Sequence, residues 1–93
     1  MIDTSLEDRS GMINHGSATP VPFQVAAHIE AGIDAGAFAP DTRLPSESEL
    51  ATQYGVARVS VRRAIERLRE RGKVITVHGR GTYVTPKTRA TES

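Results

Sequence analysis

The sequence predicts a mainly helical α+β domain in which three helices lead into a C-terminal β-hairpin. Three observations carry this expectation. Apolar residues recur at helical spacing in three segments, Gly55 and Gly72 punctuate the chain after the second and third of them, and β-branched residues flank the turn His78-Gly79-Arg80-Gly81. Ninety-three residues leave room for one such domain. Its folded part is expected over residues 20–85, with residues 1–19 and 86–93 as disordered polar tails that show no sustained period.

Pro20 and Pro22 open the first helix, because a missing N–H costs nothing in a first turn. Val25, Ile29, Gly32 and Ile33 then fall on one stripe, and Gly36 stops the helix. Pro40-Asp41-Thr42 forms a turn. Arg43-Leu44 forms a short extended piece, since a residue before proline is pushed away from helical dihedrals. Ser46 and Glu49 have the spacing of a capping box and start the second helix, whose inner face is Leu50, Ala51 and Tyr54. Gly55 ends it in the left-handed conformation that a sharp helix-to-helix corner needs. The third helix is expected over residues 57–71, with Val61, Ala64, Ile65 and Leu68 as its core stripe. Strands at 73–77 and 82–85 complete the hairpin.

Composition narrows the function. The absence of cysteine removes disulfides and thiolate metal sites, and no segment approaches the ~20 apolar residues of a membrane span. The expected location is the cytoplasm, in association with the nucleoid, with no membrane partner. His15, His28 and His78 lie far apart without metal-ligand spacing, so no metal and no cofactor are expected. No nucleophile stands beside a base, and a domain of this size rarely offers a catalytic cleft, which argues against an enzyme. The net charge is only +1, yet residues 57–93 hold ten basic side chains against three acidic ones. Such asymmetry points to a polyanion.

The placement of that charge is more specific than its amount. At about 100° per residue, the face of the third helix opposite its core stripe centres on Val59, Arg63 and Glu66, with Arg62 and Arg67 alongside. An exposed valine among arginines has no evident stabilising role, whereas valine can meet a thymine methyl and arginine can bind guanine O6 and N7 with two hydrogen bonds. Two helices joined by a glycine corner, the second bearing such a face, match the helix-turn-helix plan. The hairpin that follows puts Arg80 between two glycines, where backbone can approach a sugar-phosphate surface. Charge alone would also suit a solvated face, a reading that the hairpin directly afterwards weakens. An alternative function is a winged-helix protein-interaction module that meets an acidic protein.

The chain resembles the DNA-binding domain of the GntR family of bacterial transcription regulators over residues 20–84. The likeness rests on Pro20-Val21-Pro22-Phe23-Gln24-Val25-Ala26, Gly36-x-Phe38-x-Pro40, Leu44-Pro45-Ser46-Glu47-x-Glu49-Leu50-Ala51, Gly55-Val56-x-Arg58, Val61-Arg62-x-Ala64 and Gly79-x-Gly81-Thr82-Tyr83-Val84. The resemblance implies a winged helix-turn-helix, a partner in double-stranded DNA, and a role as a repressor. It implies DNA-facing positions at Ser48, Ala57, Arg58, Val59, Ser60, Arg62, His78, Gly79, Arg80 and Gly81, to which the exposed helical face adds Arg63. Three positions depart from the family pattern. Ser48 stands where arginine is common, Ala57 where serine or threonine caps the third helix, and Asp41 where glycine is usual. Asp41 is tolerable because aspartate visits left-handed dihedrals more readily than most residues.

Family members generally carry a ligand-sensing, dimer-forming domain after the wing, and nine residues follow Val84 here. The favoured expectation is an excised domain, the other a stand-alone short protein. Either way no small-molecule effector site is expected in this chain, and a homodimer is expected only on DNA or through a missing C-terminal domain.

Overall fold

Pro20 and Pro22 do open a helix, α1, which spans Val21–Asp34 with Pro20 as its N-cap. A computed structural model describes residues 9–86 of the chain. Val25, Ala26 and Ile29 form the buried side of α1. Gly32 extends that side by being small: a Cβ there would stand 2.8 Å from the Phe38 ring, which lies against the helix. The chain then turns through Asp41, at φ 62°, the left-handed conformation expected of it.

The capping box forms as the spacing predicts. The Glu49 N–H donates to the Ser46 hydroxyl at 3.0 Å, and the Ser46 N–H donates to the Glu49 carboxylate at 2.8 Å. Two donors that a first turn leaves without partners are thereby satisfied. The resulting α2 spans Glu47–Tyr54 and ends at Gly55, whose φ of 68° turns the chain sharply into the next helix. The third helix, α3, spans Arg58–Glu70 and buries Val61, Ala64, Ile65 and Leu68. Ala57 caps it without any side-chain hydrogen bond.

Strands β1, Val74–Val77, and β2, Gly81–Val84, pair antiparallel with Val74 opposite Val84 and Val77 opposite Gly81. The first strand begins one residue later than expected and the second is shifted one residue earlier, and hydrogen bonding still runs on to Thr85, whose N–H donates to the Lys73 carbonyl. The extended piece at Arg43-Leu44 docks along β2. Arg43 bridges Tyr83, the Leu44 N–H donates to the Thr82 carbonyl at 2.8 Å, and the Val84 N–H donates to the Thr42 carbonyl at 2.8 Å. Leu44, Val74 and Val84 carry the sheet into the core shared with the helices.

The expectation of a disordered tail over residues 1–19 is corrected for residues 9–19. Arg9 donates its N–H to the Gln53 carbonyl, Ser10–Met12 form a 3-10 turn, and Ile13 enters the core with 7% of its surface exposed. Gln24 of α1 ties the segment down. Its side-chain amide accepts from the Asn14 N–H and donates to the Asn14 and Thr19 carbonyls, all within 2.9 Å. One apolar residue supplies the anchor, so the segment has no period to read. Residues 1–8 and 87–93, where the rest of the expected tails fall, lie outside the described residues.

Ion pairs fix the start of the wing to α1. Arg71 donates two hydrogen bonds to the Glu30 carboxylate, at 2.9 and 2.7 Å, and the Lys73 ammonium sits 3.0 Å from Asp34 and 3.7 Å from Glu30. The Arg71 hydrogen bonds hold the Glu30 carboxyl below its ordinary pKa against the opposing effect of partial burial, with the charges of Arg71 and Lys73 adding to them.

Two outcomes follow from this packing. Ile13→Ala should destabilise the domain by about 2 kcal/mol, read as a lower urea midpoint, whereas a solvated tail would leave the midpoint unmoved. Because the folded pKa of Glu30 is depressed, its contribution is present above the unfolded carboxylate pKa and is lost as pH falls through the lower folded value. Wild type should therefore lose more stability than Glu30→Gln on acidification below the normal glutamate range, as measured by thermal melts across pH.

Candidate nucleic-acid interface

The arginines of α3 and of its C-cap, Arg71, divide by the company they keep. Arg67 lies over the Phe23 ring of α1, 4.6 Å from its centroid, Arg69 donates to the Thr76 hydroxyl at 2.7 Å, and Arg71 is paired with Glu30. These three hold α3 to its neighbours. Sequence periodicity groups Arg67 with the outward arginines, but a position on a helix face does not reveal that an aromatic ring waits on the adjacent helix.

Arg58, Arg62 and Arg63 remain exposed at the start of α3, with Ala57 and Val59 exposed beside them and Ser60 half-buried. Val59 leaves 47% of its surface in solvent although its helix has a well-filled apolar side. Arg62 donates to Glu47 at the start of α2 across 3.3 Å, and both side chains are substantially exposed. An exposed pair of this kind contributes about 1 kcal/mol or less, so a phosphate or a base can compete for the guanidinium. Among the described residues, Arg58 and Arg63 have no carboxylate within ion-pair distance.

The wing meets this surface. A cleft of about 330 Å³ is lined by Ser48 of α2, Arg58 of α3 and Gly81 of β2, together with Glu47, Arg43 and Thr82. The start of the third helix and the foot of the hairpin thus share one side of the molecule. His78, Gly79 and Arg80 are exposed at the turn beyond, where the Arg80 N–H donates to the Val77 carbonyl and Gly79 supplies a φ of 77°. The structure brings Ser48, Arg58 and Gly81 into a single cleft, sets Arg62 at its margin through Glu47, and leaves Val59 and Arg63 facing outward beside it. Arg43 is the residue that sequence reasoning missed. Its only local signal is the proline two places on, which says extended chain and nothing of a site.

Among the described residues, no group of three histidine, cysteine, aspartate or glutamate side chains could hold a metal ion, and no helix is long and apolar enough to cross a membrane. His28 has a structural place, with its Nδ1 2.6 Å from the hydroxyl of the fully buried Tyr54.

Three helices, a glycine corner and a hairpin beside the second helix of the pair define a winged helix-turn-helix domain. The profile described as "Bacterial regulatory proteins, gntR family" matches residues 23–84, and the chain belongs to that family. It is 44% identical over 77 residues to the HTH-type transcriptional regulator YurK of Bacillus subtilis (strain 168), covering 82% of this chain and 32% of that protein. To the HTH-type transcriptional repressor NagR of the same organism it is 38% identical over 73 residues, covering 78% and 30%. The chain therefore spans about a third of the length of the curated relatives it matches. Among solved structures, the AraR DNA-binding domain in complex with operator ORX1 superposes with a TM-score of 0.69 at 39% identity, covering 72% of this chain and 81% of that one.

Proposed function

We propose that this domain binds duplex DNA sequence-specifically and serves a transcription repressor of the cytoplasm, with α3 in the major groove and the hairpin against the minor groove or backbone. The observation that carries the reading is the meeting of Arg58, Ser48 and Gly81 in one cleft, beside an exposed Val59. A surface built to keep the protein soluble has no use for that valine. Arg58, Arg62 and Arg63 supply donors to guanine edges or phosphates, Val59 an apolar contact for a thymine methyl, and Ala57, Ser48 and Ser60 small side chains that let the groove wall come close. In the wing, Gly79 and Gly81 leave the backbone bare, and His78 and Arg80 extend from it.

A repressor role is supported by relatives that bear that name, NagR and the histidine utilization repressor of Pseudomonas aeruginosa among them, and contact with an operator by the AraR complex. One domain covers one half-site. Tight operator binding then requires a second copy, brought by the DNA itself or by a further domain, because linked half-sites raise the effective concentration of each other's partner. The isolated domain is monomeric in this reading and holds a half-site weakly.

The test is a salt titration on a site selected from random duplex, with unselected duplex alongside. Each phosphate neutralised should contribute about −0.9 to the log-log salt slope. Arg62→Ala should weaken the selected site by about 1–3 kcal/mol and relax its preference. An equal loss on both duplexes would make Arg62 a phosphate contact. Arg80→Ala should weaken binding with its unfolding midpoint unchanged. Wild type with no measurable duplex affinity at low salt would replace this function with recognition of an acidic protein surface.

A further inference from the structure

Arg43 belongs to none of the helices or turns to which the DNA contacts above are assigned, yet it stands in the same cleft as Ser48 and Arg58. Its root is held firmly. The backbone around it is laced to β2 by the Tyr83 bridge and by the hydrogen bonds of Leu44 and Val84, so the side chain springs from sheet and not from a loose loop. Its direction is set by the wing, because the Arg43 side chain lies against Gly81: a Cβ added there would come within 3.1 Å of Arg43 Nε. The residue remains exposed, and among the described residues no carboxylate lies within ion-pair distance of it. The one acidic side chain that lines the cleft, Glu47, is engaged by Arg62.

Two guanidiniums without counter-charges therefore line the space between α3 and the hairpin, one rooted in each wall. We propose that Arg43 and Arg58 clamp a single backbone phosphate of the duplex there. The clamp rests on the DNA-binding reading and adds a residue and a role to it. Arginine suits the task because its planar fork donates two parallel hydrogen bonds to phosphate oxygens. Held by the sheet on one side and the recognition helix on the other, the phosphate sets the depth and register of α3 without reporting base identity.

Neutralising Arg43 as Arg43→Gln, or as Arg43→Met to keep the stem on Gly81, tests the clamp. Each variant should bind about tenfold more weakly than wild type, by the same factor on selected and on random duplex. The salt slope should become shallower by about 0.9. In a scan that replaces single phosphates with neutral methylphosphonates, one position that weakens wild type should be silent in the Arg43 variants. Arg43→Lys should retain the wild-type slope. Unfolding midpoints of the variants should match wild type, and if neither neutral variant folds, Arg43 is a structural residue and the clamp is rejected. It is also rejected if the neutral variants bind as wild type does, or if the loss is confined to one base pair. Wild type that fails to bind any duplex removes the DNA-binding reading itself, an outcome distinct from wild type that binds and variants that bind equally.

Discussion

The structure depends on α3 being buried along one side and bare along the other. Val61, Ala64, Ile65 and Leu68 lie against the rest of the core, and removing such side chains from water contributes roughly 1.5–3 kcal/mol for each large one. That burial fixes the helix in rotation about its own axis. Once the apolar stripe faces inward, Arg58, Val59, Arg62 and Arg63 have no choice but to face solvent, and the orientation of the candidate DNA surface is set by the core. Side-chain contacts reinforce the same rotation: Phe23 through Arg67, Thr76 through Arg69, and Glu30 through the C-cap residue Arg71.

The second constraint is the relation of the wing to that helix. The hairpin is tied at both ends. At its base Lys73 and the neighbouring Arg71 are paired with acidic residues of α1, and Thr85 donates through its hydroxyl to the Gly72 carbonyl. Along β2 the Arg43 segment adds a short second row of backbone hydrogen bonds. A two-stranded hairpin is marginal by itself. With Val74 and Val84 in the core and Arg43-Leu44 alongside, it becomes a fixed wall, and the cleft between it and α3 has a defined shape.

The distribution of charge follows from these two constraints. Residues 57–93 are strongly basic, but the structure spends part of that charge internally: Arg67, Arg69, Arg71 and Lys73 hold elements together. Those at the start of α3 and at the turn of the wing point outward. Net charge of +1 is thus no guide to the surface a polyanion would meet, because attraction and steering act over a Debye length of about 10 Å and respond to the local sign.

Local chemistry was legible in the sequence to a large degree. The Ser46 and Glu49 box, the Gly55 corner and the α3 stripe depend on neighbours within a few residues, and each formed as the spacing dictates. Ser48, Arg58 and Gly81 stand out from local motifs alone, and the fold brings them to one cleft. What sequence could not tell is whatever depends on a partner distant along the chain. Residues 9–19 have no period, and Ile13 is buried in a segment that is held by Gln24 at Asn14 and by the Gln53 carbonyl at Arg9. Arg67 shares a helix face with the solvent-exposed arginines but finds Phe23 first. Arg43 enters the cleft because strand pairing with Tyr83 carries it there. Sequence alone determined the elements and their faces, since hydrogen bonds and periodicity act within a turn or two. Only the tertiary structure decided which arginines are held by the protein and which stand open to a ligand, since that choice is made by groups tens of residues away that meet only on folding.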